Sequence, residues 1–122
     1  MAPVAEEINA AGSNADLERR GNDGIAITEF QVKRWNPTVI KVKWSHHRRS
    51  PHKFTIWFRN VKTQEYYKAR DTVWTNDGYI KLRLHSLHHK KGKYQVVLTK
   101  WGDYYDVYAR SSTFHIWSSD FN

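Results

Sequence analysis

The chain contains no cysteine. That absence excludes a disulfide framework, a thiolate nucleophile, a cysteine-ligated zinc site and an iron–sulfur cluster. No apolar run approaches the roughly 20 residues that a membrane-crossing helix requires. An N-glycosylation acceptor is missing too, because in Asn36-Pro37-Thr38 the central proline blocks the site. Sustained 3.6-residue periodicity with a capping residue does not occur, so helices are expected to be absent or limited to single turns. Glycine-rich phosphate loops, the Gly-x-Ser-x-Gly nucleophile elbow and the metalloprotease helix motif are likewise absent. Acidic residues are scarce, 12 against 20 Lys and Arg in 122 residues, for a formal charge of +8.

That charge is uneven. Residues 1–20 carry Glu6, Glu7, Asp16 and Glu18 against Arg19 and Arg20, a net −2, which leaves +10 on residues 21–122. The opening stretch is rich in Ala, Asn, Ser and Gly and poor in aromatic and β-branched residues. It buries too little apolar surface to offset its ordering entropy and is expected to be disordered. It ends in the dibasic pair Arg19-Arg20 before Gly21, within reach of a processing protease. The arrangement resembles the short propeptide of secreted fungal proteins that a kexin-type protease cuts. The expected organisation is a propeptide-like leader, 1–20, and one domain, 21–122.

From Gly21 onward the hydrophobic pattern has period two. Ile40, Val42 and Trp44 share one face while Lys41 and Lys43 share the other. Phe54, Ile56 and Phe58 form a second inward face; Ile80, Leu82 and Leu84, then Tyr94, Val96 and Leu98, then Phe114 and Ile116 form others. The run from Ile25 to Val32 changes phase between Ile27 and Phe30, which predicts a bulge near Thr28-Glu29. Asn36-Pro37, Asn76-Asp77-Gly78, Lys91-Gly92-Lys93 and Gly102-Asp103 carry turn chemistry, the second of them suited to a tight hairpin. About seven strands in roughly 95 residues predict an all-β, antiparallel sandwich of immunoglobulin or fibronectin type. A small closed barrel is the alternative.

Trp44 closing an early strand, Asn76-Asp77-Gly78-Tyr79, then Leu87, Gly92, Tyr94, Val96 and Leu98, and finally Ser111-Ser112-Thr113-Phe114-His115-Ile116, together carry a resemblance. The pattern resembles the fungal immunoglobulin-like domain of yeast cell-wall β-1,6-glucan assembly proteins and of Ser/Thr-rich, glycolipid-anchored membrane proteins, over about residues 25–117. The Pro and Gly pattern that the family carries ahead of the first Trp is missing, and no Ser/Thr-rich stalk or anchor signal follows. The resemblance implies a stand-alone, secreted domain with no catalytic residues to carry over.

The acids of 21–122 are Asp23, Glu29, Glu65, Asp71, Asp77, Asp103, Asp106 and Asp120. Most fall in turns or at strand ends and read as solvated carboxylates; only proximity favours Asp103 and Asp106 as an acid/base pair, and no catalytic residue is expected. Six of the seven histidines fall in two basic clusters, the second of which opens at His85, and the clusters make a candidate cationic patch of His46, His47, Arg48, Arg49, His52 and Lys53 with His88, His89, Lys90, Lys91 and Lys93. Surrounding positive charge disfavours a bound dication, so neither metal nor cofactor is expected. Aromatic residues interleaved with cations supply candidate exposed rings: Trp35, Trp57, Trp74, Trp101, Tyr104 and Tyr105. Strict alternation turns Trp57 and Trp117 outward.

Parity decides whether the two histidine clusters cooperate. One continuous strand over 65–75 sends them to opposite ends of the sandwich; a break at Arg70-Asp71 brings them to the same end, as one polyanion site. Three functional classes follow. The first is a secreted, non-enzymatic fungal interaction protein, effector-like, acting on a host protein or at the cell wall. The second is a module binding cell-wall glucan or chitin through exposed rings. The third is a basic binder of nucleic acid or another polyanion.

Overall fold

The computed structural model describes residues 24–34 and 37–121. The leader, its Arg19-Arg20 pair and Trp35 lie outside the described residues. Eight strands form: β1 (Ala26–Lys33), β2 (Val39–Ser45), β3 (Lys53–Asn60), β4 (Tyr66–Trp74), β5 (Tyr79–Leu82), β6 (Gly92–Lys100), β7 (Val107–Arg110) and β8 (Phe114–Ile116). They make two antiparallel sheets, a smaller one in the order β1-β2-β5 and a larger one in the order β4-β3-β6. Both β7 and β8 lie along the remaining edge of β6. Between them Ser111 keeps the edge paired: its N–H donates to the Val96 carbonyl and its hydroxyl accepts from the Val96 N–H. The two short strands thus serve as one interrupted strand, and the expected seven become eight.

The predicted bulge is present, with the β1–β2 register shifting between Ile27 and Glu29. One extra residue lets both Ile27 and Phe30 face inward. The two sheets meet over the side chains that alternation selected: Ile40, Val42, Trp44 and Leu82 from the smaller, and Phe54, Ile56, Phe58, Tyr94, Val96, Leu98 and Phe114 from the larger, all buried. Each such side chain contributes about 1.5–3 kcal/mol by leaving water. Two ring contacts cross the interface. The Phe114 ring lies 5.0 Å from Phe30, and Trp44 meets Phe54 edge-on at 5.0 Å. Trp44 is further fixed by donating its indole N–H to the Thr75 carbonyl.

Three expectations need correction. Asn76-Asp77-Gly78 does not close a hairpin, since β4 and β5 belong to different sheets; a single helical turn over Thr75–Asp77 carries the chain across, and Gly78 at φ 76° turns it into β5. Asp120 is not a solvated carboxylate but a buried one, held by Arg34, Thr38 and the Trp117 N–H. Trp57 points outward from its sheet as alternation requires, yet it is partly buried because a loop covers that face.

Residues 66–74 form one continuous strand, which settles the parity. The first histidine loop, with the Thr75–Asp77 turn and the β6–β7 turn, sits at one end of the sandwich. The second, with the β3–β4 turn and the C-terminal turn Ser118–Phe121, sits at the other.

Candidate functional site

The two basic clusters are thus separate, and each is partly committed to structure. In the first, the His47 Nδ1 accepts from the Arg49 N–H, the His47 N–H donates to Ser50 Oγ, and Ser50 Oγ donates to the Gly24 carbonyl. The imidazole shapes its own loop. His46, Arg48 and His52 are exposed around a cleft of about 450 Å³ that Pro51 and Asn76 also line, and Arg49 is exposed on the same loop. Lys53 leaves this group altogether, starting β3 and turning toward aromatic rings. In the second cluster, His88 and His89 both adopt left-handed backbone, at φ 51° and 63°. For residues with a β-carbon that conformation costs roughly 1–2 kcal/mol each. His89 packs on Phe121 at 5.1 Å, and with His85, His88 and Arg83 it rims a cleft of about 470 Å³. Lys90 leans over Tyr67, whereas Lys91 and Lys93 line a different groove. Among the described residues no group of three His, Asp or Glu side chains is placed to hold a metal ion.

The aromatic candidates, by contrast, converge. Residues 101–106 fold back over the outer face of the larger sheet: the Gly102 N–H donates to Thr55 Oγ1, and the Trp57 indole N–H donates to Thr99 Oγ1. Thr55 and Thr99 are fully buried although they face away from the core. On this base the rings build up. Tyr104 stacks on Tyr66 at 4.8 Å and meets Trp57 edge-on at 5.6 Å, and Tyr105 lies 4.4 Å from Tyr104. Its hydroxyl contact with Tyr105 raises the pKa of Tyr104, so the phenol stays protonated. Trp101 is pinned by its indole N–H to Thr72 Oγ1. The Lys53 ammonium lies 3.8 Å from the centre of the Trp101 ring and 5.9 Å from that of Trp74. Lys68, paired with Asp71 at 3.0 Å, approaches Trp57 in the same way. Tyr105 is 81% exposed, Trp74 54% and Trp101 46%.

Polar groups border the rings. Arg59 donates to Gln95 Oε1, Gln95 donates to the Ser111 carbonyl, and with Gln64, Tyr66 and Arg110 they line a cleft of about 340 Å³. Sequence reasoning placed Arg59 and Tyr66 in aromatic–cation runs without selecting either as a site residue, and it did not single out Gln95 or Arg110. Alternation from Trp57 gives the outward face for Arg59, but the phase of β4 stayed open at Arg70-Asp71, and with it the position of Tyr66. The acid/base reading of Asp103 and Asp106 finds a plainer role for Asp103, whose carboxylate caps the Tyr105 N–H within the turn.

The outer face of the smaller sheet is a second surface that the loop-centred reading passed over. Lys41 stands directly across from Lys81, and Lys43 beside Tyr79 and Glu29, with Lys33 and Arg83 farther along the strands. The Lys43–Glu29 contact, at 3.6 Å, offsets part of this charge. Like charges directly opposite are destabilising in a sheet.

At the second end, His115 stacks on Trp117 at 3.8 Å with the rings 21° apart. Burial, with help from Lys93 and Arg34 and against the pull of Asp120, holds its pKa below the ordinary imidazole value of 6.5. The ring is therefore neutral at pH 7. Because the folded state disfavours its protonation, the stability it contributes is present above the ordinary value and is lost as pH falls below it. An NMR pH titration is expected to place the His115 midpoint below 6.5; a midpoint at or above that value would contradict the burial argument.

No family model, curated protein or solved structure matches the chain. Among the described residues no helix is long and apolar enough to cross a membrane.

Proposed function

We propose that the protein is a non-enzymatic binding module whose ligand is a glycan, taken up on the outer face of the larger sheet. The observation that carries this is the convergence of Trp57, Tyr66, Trp74, Trp101, Tyr104 and Tyr105 on one face beside a polar cleft. A pyranose ring has one face of C–H groups and an equator of hydroxyls. Exposed rings accept the first, and Gln95, Arg59 and Gln64 offer donors and acceptors for the second. Such pairing of apolar platform with a few polar groups is the general anatomy of a small-molecule site.

The setting outside the cell belongs to the same proposal, resting on the Arg19-Arg20 leader and on the resemblance to fungal cell-wall domains. In its effector-like form the glycan, or a protein bearing it, belongs to a host. A second reading, polyanion binding, draws on the cross-strand Lys41–Lys81 pair of the smaller sheet.

Retention on insoluble β-glucan and chitin, together with a glycan array, tests the proposal. Trp74→Ala and Trp101→Ala are each expected to weaken binding by about tenfold or more, as for exposed aromatic anchors. No retention on any glycan would overturn it. Binding that ignores both substitutions but falls steeply with salt would transfer the function to the lysine face.

A further inference from the structure

At the second end of the sandwich, opposite the β6–β7 turn, a groove of about 700 Å³ opens between the β3–β4 turn and the end of β8. Its walls are fixed by backbone contacts. Asn60 Oδ1 accepts from the Lys62 and Thr63 N–H groups and so shapes the turn, while the Val61 N–H donates to the Lys93 carbonyl at 2.9 Å. Gly92 lets the two walls approach: at φ 147° a Cβ there would stand 3.3 Å from the Asn60 amide nitrogen.

Three ammonium groups, from Lys62, Lys91 and Lys93, line the groove, and the described residues that line it include no carboxylate. Trp117 completes it. Its backbone N–H is held by Asp120, one face of its indole is stacked on His115, and 52% of the residue remains exposed. A large ring held at both backbone and side chain, and open on its far side, is a prepared stacking surface. Cations around such a ring set the chemistry of what lies on it.

We propose that this groove binds a ring-bearing anion, with an apolar ring face laid on the Trp117 indole and a carboxylate, sulfate or phosphate reaching the Lys62, Lys91 and Lys93 ammonium groups. An acidic sugar and an aromatic acid both meet that description. The site lies at the opposite end from the β6–β7 turn and is independent of the glycan reading.

Two-dimensional NMR titrations with glucuronic acid and with phenyl phosphate test it, with glucose, phenol and inorganic phosphate as controls. The Trp117 indole N–H and the Thr63 and Lys93 amides are expected to shift with at least one anionic ring, and which one identifies the source. Neutral rings and bare phosphate should bind about tenfold more weakly or worse, since each lacks one of the two contacts. Trp117→Ala should weaken the preferred probe by about tenfold. The double change Lys62→Gln/Lys93→Gln, on exposed side chains that leave the fold intact, should do the same. Absence of shifts in the groove with either probe overturns the proposal. So does equal binding of bare phosphate, equal binding of the neutral ring, or a set of shifts centred on Trp101 and Tyr104 instead.

Discussion

Phe114→Ala is expected to lower the unfolding free energy by about 3–5 kcal/mol, read as a fall in the urea midpoint with an unchanged slope. The ring is buried where the two sheets meet. It lies 5.0 Å from Phe30 of the smaller sheet, and 6.4 and 6.5 Å from Phe58 and Tyr94 of the larger. Truncation removes the transfer energy of a phenyl group and leaves a cavity among rings that are too rigid to collapse into it. Domains of this size are stable by about 5–15 kcal/mol, so this single change removes a large part of the margin. Phe114→Leu, which keeps most of the volume, should cost less than about 1.5 kcal/mol. If alanine costs under about 1 kcal/mol, then Phe114 does not couple the sheets.

Position within a strand was legible because period-two patterning acts residue by residue. Ile40, Val42 and Trp44 had to share a face whatever else the chain did, and the phase change between Ile27 and Phe30 required an inserted residue. Sheet membership depends on longer-range facts. Asn76-Asp77-Gly78 has hairpin chemistry, yet the same left-handed glycine serves equally well at a crossover between sheets. Nothing within three residues distinguishes the two. Arg70-Asp71 left open whether the segment is one strand or two, because two charged residues follow one another; β4 is an edge strand, and its register shifts let it carry both while remaining continuous. That one strand decides the parity of every later loop.

The candidate site was legible by composition and hidden in arrangement. Trp74, Trp101, Tyr104 and Tyr105 could be read as exposed rings, and they are exposed. Their convergence required the β6–β7 turn to fold back over Thr55 and Thr99, a contact made by hydroxyl groups that no hydrophobic pattern marks. For the same reason Trp57 sits on the predicted face but under cover. The charges of the basic loops adjoin in sequence, whereas the cationic face of β1-β2-β5 is assembled from alternate residues of the strands.

Asp120→Ala is expected to cost about 3 kcal/mol, although the residue lies two positions before Asn122 in a region rich in polar groups. Its carboxylate accepts from Arg34 at 2.8 Å, from the Thr38 hydroxyl at 2.7 Å and from the Trp117 N–H at 2.7 Å. Arg34 in turn donates to the His115 carbonyl. One buried charge thus joins the β1–β2 connection, β8 and the C-terminal turn. Removing it leaves the Thr38 hydroxyl and the Arg34 guanidinium without this acceptor in a largely enclosed space, and the cost of breaking a buried pair exceeds the net worth of the pair itself. The Arg34 side chain is 22% exposed, so water recovers part of that cost and the figure stays below the upper range for buried pairs. Asp120→Asn keeps the shape and two acceptor lone pairs and should lose about half as much. A double-mutant cycle with Arg34→Ala separates the pair from the rest: coupling below about 0.5 kcal/mol would show that Asp120 acts through Thr38 and the Trp117 N–H alone. Because the same carboxylate fixes the Trp117 backbone, Asp120→Ala should also broaden or displace the Trp117 indole resonance in the folded protein. A cap that merely closed the chain end would leave that resonance where it was.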